Sequence, residues 1–145
     1  MDSREIEVFK KEYSTLFNRW QKETKDLLKS IDEVSKELDE LDAKKEPLTD
    51  DEKKHQKELI AKRKKAQQEV DNAAAGLHIE LMALDPPSNV SKDDMSDLLK
   101  WMKKTFETVK KGLPVTKTFT IEPDLDVNLK KLKIESLGVN LIWNF

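Results

Sequence analysis

Apolar residues recur at steps of three and four through the first 84 positions, and the rhythm breaks once, at Glu46-Pro47-Leu48. Ile6, Phe9, Tyr13, Leu16 and Trp20, followed by Leu27, Ile31, Val34, Leu38 and Leu41, have the spacing of helices that pack along a seam. The pattern predicts a first helix from Asp2, at capping-box distance from Glu5, to about Lys45. Successive steps of four around Trp20 mark a stutter that locally relaxes the supercoil.

Pro47 stops this helix, and Thr49-Asp50-Asp51-Glu52 opens the next with a second capping box and acids at its positive end. Leu59, Ala66, Val70, Ala73, Leu77, Leu81 and Leu84 line one side of that helix, with Ala73 to Ala75 set opposite the bulky Tyr13 to Trp20 stretch. Two helices of matching length joined by a short loop predict an antiparallel coiled-coil hairpin over residues 1–85.

Asp85-Pro86-Pro87-Ser88-Asn89 removes two amide donors and marks an internal boundary. Beyond it, residues 89–145 read as a small α+β module. A helix over 91–111 is capped by Ser91, carries Met95, Leu98, Leu99, Met102, Phe106, Val109 and Leu113, and ends at Gly112 as a left-handed terminator. After Pro114 the period shortens to two, which predicts three antiparallel strands at about 115–122, 126–134 and 137–144, with turns at Pro123-Asp124 and Ser136 to Gly138. The fold class expected is therefore mainly α with a small α+β end.

Charged residues make up 39% of the 145, yet Lys+Arg 27 and Asp+Glu 29 nearly cancel to a net charge of -2, so no global field favours nucleic acid or anionic lipid. Without cysteine there are no disulfides, thiolate nucleophiles or sulfur-ligated metals. The polar start Met1-Asp2-Ser3-Arg4-Glu5 lacks the features of a signal peptide, and no apolar run reaches the ~18 residues of a membrane span. A cytoplasmic location with no cofactor is the expectation.

Catalytic and metal motifs are sparse. Gly76, Gly112 and Gly138 lie too far apart for a phosphate loop, and His55 and His78 form no paired-histidine motif. Asp124, Asp126, Asn128 and Glu135 fall at ligand places of a calcium loop, but Leu129 stands where that loop needs glycine, and the interleaved Leu125, Val127 and Leu129 are those of a half-buried strand. Lys62 to Lys65 make a short basic run, and Lys100, Lys103, Lys104 and Lys111 form a stripe that could face an anion, diluted by neighbouring acids.

A two-helix hairpin leaves part of its seam uncovered, which a second copy would bury as a four-helix bundle. Phe9, Phe17, Trp20, Leu28 and Ile60 are the positions expected at such a contact, joined by Trp101, Trp143 and Phe145 in the α+β end. The chain thus reads as a non-enzymatic structural or protein-interaction protein, with a further copy of itself or an unidentified protein as partner. An inhibitor or toxin-related module that occludes a macromolecule with its β-tail is the alternative, and a nucleic-acid accessory role through the lysine faces a weaker one.

Overall fold

The computed structural model describes residues 3–114 and 116–145 and contains three helices followed by one antiparallel sheet: α1 (Ser3–Asp42), α2 (Asp50–Met82), α3 (Lys92–Lys111), β1 (Phe119–Asn128) and β2 (Lys133–Trp143). The cap expected at Asp2 and the strand start expected at Val115 lie outside the described residues. No helix is long and apolar enough among them to cross a membrane.

α1 and α2 pair within the chain as an antiparallel hairpin. The capping box forms as read, with Thr49 Oγ1 accepting from the Glu52 amide and the Glu52 carboxylate accepting from the Thr49 amide. Glu52 also receives Lys44 from across the loop; that hydrogen bond and the Thr49 amide hold its carboxyl below the ordinary range.

The buried positions of α1 differ from the heptad seam. As far as Ile31, Phe9, Tyr13, Phe17, Trp20, Thr24, Leu28 and Ile31 are the enclosed set, so Phe9, Trp20 and Ile31 repeat every 11 residues, or about 3.67 per turn. Leu16 and Leu27 are only half-buried, whereas Phe17 and Leu28 are fully enclosed. The cause is that α1 has two neighbours: its seam with α2 is widened by α3, which packs on the Tyr13 and Phe17 side. Thr24 tolerates full burial because its hydroxyl donates to the Trp20 carbonyl at 2.8 Å.

The β end is continuous with the hairpin. Leu77 and Leu81 of α2, Met102 and Phe106 of α3, and Ile121, Leu137 and Val139 of the sheet belong to the same buried cluster as Phe9 to Ile31. Even the proline-rich connection is fastened, since Val90 enters this cluster and Ser88 donates from both its amide and its hydroxyl to the Glu5 carboxylate. Farther out, Val34, Leu38 and Leu59 form a second small cluster, leaving the far part of the hairpin as a two-helix arm.

Among the described residues two strands stand in place of the expected three. Both anticipated turns lie inside strands, Pro123 pairing with Val139 and Gly138 with Asp124. Asn144 N–H donates to the Thr118 carbonyl at 2.7 Å, and bonded and unbonded pairs alternate along an antiparallel ladder; Pro123 and Leu137 therefore occupy unbonded pairs whose backbone points outward. Proline's missing N–H costs the ladder nothing there. The true turn lies between Asn128 and Lys133, where Asn128 Oδ1 accepts from the amides of Lys130 and Lys131, both at 3.0 Å, and Leu132 takes φ 53.

Gly138 is glycine because α2 lies close: an added Cβ would stand 3.1 Å from His78 Nδ1 and 3.3 Å from His78 Cβ. Gly112 is likewise no left-handed terminator, for its φ is -79. A Cβ there would meet Gln21 Nε2 at 2.0 Å, and the same Gln21 amide donates to the Val109 carbonyl at 2.7 Å, so a side chain from α1 closes the end of α3.

Candidate interaction surface

Phe9, Phe17, Trp20 and Leu28, the positions expected at an intermolecular contact, are enclosed in the chain's own core at 0–1% exposure. They share one buried cluster with residues of α2 and α3, and Phe17 meets Phe106 of α3 at 6.4 Å and Trp20 at 6.5 Å, both edge-on, while Tyr13 meets Trp101 of α3 at 5.7 Å. Burial at this junction pushes the Tyr13 phenol above its ordinary range. Ile60 and Phe145 are exposed, while Trp101 and Trp143 are half-buried.

The carboxyl-terminal aromatics are fastened to α2. Trp143 Nε1 donates to Asp71 at 3.1 Å, Phe145 stacks on Trp143 at 5.7 Å, and the Arg63 guanidinium lies 4.0 Å from the Phe145 ring centroid. Lys100, Lys103, Lys104 and Lys111 stand exposed along α3 and make no ion pair among the described residues, with Lys110 and Lys111 at the helix end where the dipole favours cations.

Between α2 and β2 lies an open groove of about 330 Å³ where Asp71, His78, Asp124 and Asn140 meet. Ser136 Oγ donates to Asp124 at 2.9 Å, Asp124 is 3.8 Å from His78 Nδ1, and that nitrogen is 2.5 Å from the Leu137 carbonyl. Serine therefore bonds the carboxylate, whereas an activated nucleophile needs its hydroxyl on the imidazole. His78 instead holds the outward backbone of β2 to the helix. Among the described residues no group of three or more His, Asp or Glu side chains is placed to hold a metal ion. Asn128, part of the calcium-loop lookalike, uses its carbonyl on the turn amides.

A second groove runs along α1 at the base of the hairpin, facing first the residue Leu84 just beyond α2 and then α2 itself. Its wider part, about 460 Å³, is lined by Val8, Lys11, Glu12, Thr15, Leu16 and Leu84. It adjoins at Leu16 a narrower cleft of about 110 Å³ formed with Arg19, Trp20, Glu23, Gly76 and Glu80. Val8 is 49% exposed, and Ile79 and Met82 in the last turns of α2 are exposed as well. Arg19 reaches from α1 to Glu80 on α2; that hydrogen bond and the accompanying charge attraction raise the guanidinium's affinity for its proton.

Two features of the narrow cleft lack a reason within the chain. Trp20 Nε1 is a buried donor with no hydrogen-bond partner among the described residues, where most buried donors are satisfied. Gly76 sits in the middle of α2, yet an added Cβ there would meet nothing within 4 Å. Since glycine inside a helix costs about 1 kcal/mol relative to alanine, Gly76→Ala should raise the unfolding free energy by roughly that amount in denaturant titrations; a loss of stability would show that the backbone needs glycine at this point. Neither feature was singled out from the sequence, although an isolated glycine in a strong helical pattern is the one signal that could have done so.

Comparison with protein-family models, with curated proteins and with solved structures finds no match to this chain.

Proposed function

We propose that this chain is a non-enzymatic protein-interaction protein that acts by association through the base of its hairpin, the remainder of the fold serving to hold that face rigid. The observation that carries the reading is the uncovered apolar floor formed by Val8, Leu16 and Leu84 on a chain that is 39% charged. Apolar side chains grouped in one groove and rimmed by Lys11, Glu12 and Arg19 have the composition of a contact face, an apolar centre within a charged border. Enclosure of Phe9, Phe17, Trp20 and Leu28 moves the expected contact from the seam to the outer side of the hairpin. In a self-associated form the four helices of two copies would approach the bundle geometry read from the periodicity.

Light scattering after size separation, across a concentration series, tests this. The expected mass is twice that of the chain, and Val8→Glu, at an exposed position where folding should be unaffected, is expected to return the monomer with unchanged helicity. A wild-type chain that stays monomeric at every concentration overturns self-association as the mode of action.

A further inference from the structure

The charges along the hairpin base are self-complementary, and the geometry points to a two-fold contact in which two copies of α1 cross antiparallel at Thr15 and Leu16, each placing its Glu12 into the Arg19–Trp20 cleft of the other. This rests on the interaction reading above and adds the partner, the register and the residues that set it.

The register follows from spacing. Glu12 and Arg19 are seven residues apart, two turns of one helix face, with Leu16 between them, and all three line the joined grooves. In an isologous contact residue i meets j while j meets i, so opposite charges equidistant from the crossing point pair twice. The midpoint of Glu12 and Arg19 falls between Thr15 and Leu16, which brings the Leu16 side chains of the two copies together at the crossing and sets Val8 of each opposite Glu23 of the other.

The cleft supplies what such a partner group needs. Glu12 makes no ion pair among the described residues. A carboxylate entering the cleft meets the exposed Arg19 guanidinium, which it would share with Glu80. Gly76 leaves the space for it, which accounts for a mid-helix glycine that packing within the chain does not require. Glu23 and Glu80 already border the cleft and would repel a lone anion, but the same register carries the second copy's Lys11 in beside its Glu12, so each half receives one charge of each sign.

Charge exchange tests the register. Glu12→Arg sets Arg against Arg19, and Arg19→Glu sets Glu against Glu12, so either variant alone is expected to weaken self-association by more than about tenfold, read as the concentration midpoint in light scattering. Mixing the two variants should restore a dimer containing one copy of each, because both contacts are then between opposite charges. If wild type dimerises and Val8→Glu breaks the dimer, but the charge variants self-associate normally or the mixture remains monomeric, the register is overturned while the interaction reading stands. If wild type is monomeric, both fail together.

Discussion

Phe17→Ala is expected to lower the unfolding free energy by about 3–5 kcal/mol, a large share of the ~5–15 kcal/mol that holds a domain of this size together. Phe17 is 1% exposed and touches Tyr13 at 4.7 Å and Phe106 at 6.4 Å, so it joins α1 to α3 as well as filling volume. The resulting cavity would sit where two elements meet, and neither can move inward without parting from its other neighbours. Phe145→Ala, at an exposed ring, should change stability by no more than about 0.5 kcal/mol beyond the loss of its Arg63 contact. Urea titrations followed by circular dichroism measure both; equal effects would mean that the aromatic row is no part of the main core.

The second large effect is expected on deleting Leu137 to Phe145. If the tail were only a docking element, the remaining chain would keep its cooperative transition. The structure leads to the opposite expectation, because Leu137 and Val139 are buried with α2 and α3 and β2 is, among the described residues, the only ladder partner of β1. Losing two core side chains at about 1.5–3 kcal/mol each, together with the ladder and the Trp143–Asp71 bond, approaches the whole stability. The truncated chain should retain much of its helical signal while losing its near-ultraviolet signal and binding a hydrophobic dye. A sharp transition displaced by less than about 1 kcal/mol would instead make the tail an appendage.

How much of this was legible in the sequence depended on how local the cause was. The starts of α2 and α3 were readable because Thr49 and Ser91 act on amides three residues away. The hairpin was readable because periodicity reports which side of a helix is hidden. Periodicity does not report what hides it: Phe17 is enclosed in part by a third helix that approaches from the side, and the step from a heptad seam to an 11-residue repeat accompanies that extra neighbour. The strands were misdivided for the same reason. Pro123 and Gly138 are residue types that favour turns, but one faces outward in an unbonded pair and the other makes room for His78, which is 60 residues distant in the chain. The narrow cleft depended on an unpaired indole that only a packed structure reveals, whereas the Glu12–Arg19 spacing is plain in the sequence once the face is known.

The separation of Val34, Leu38 and Leu59 from the main cluster has a consequence for how the molecule comes apart. Amide protons near the loop would exchange through fraying of the arm alone, at a free energy well below that of global unfolding, while those of Val70, Leu77 and Met102 would wait for the whole body to open. The connection at Ala43 to Leu48 would then act as a tether with little share in the fold. A cut there would leave two fragments clasped along the hairpin, and an inserted segment would lengthen the tip without disturbing the base.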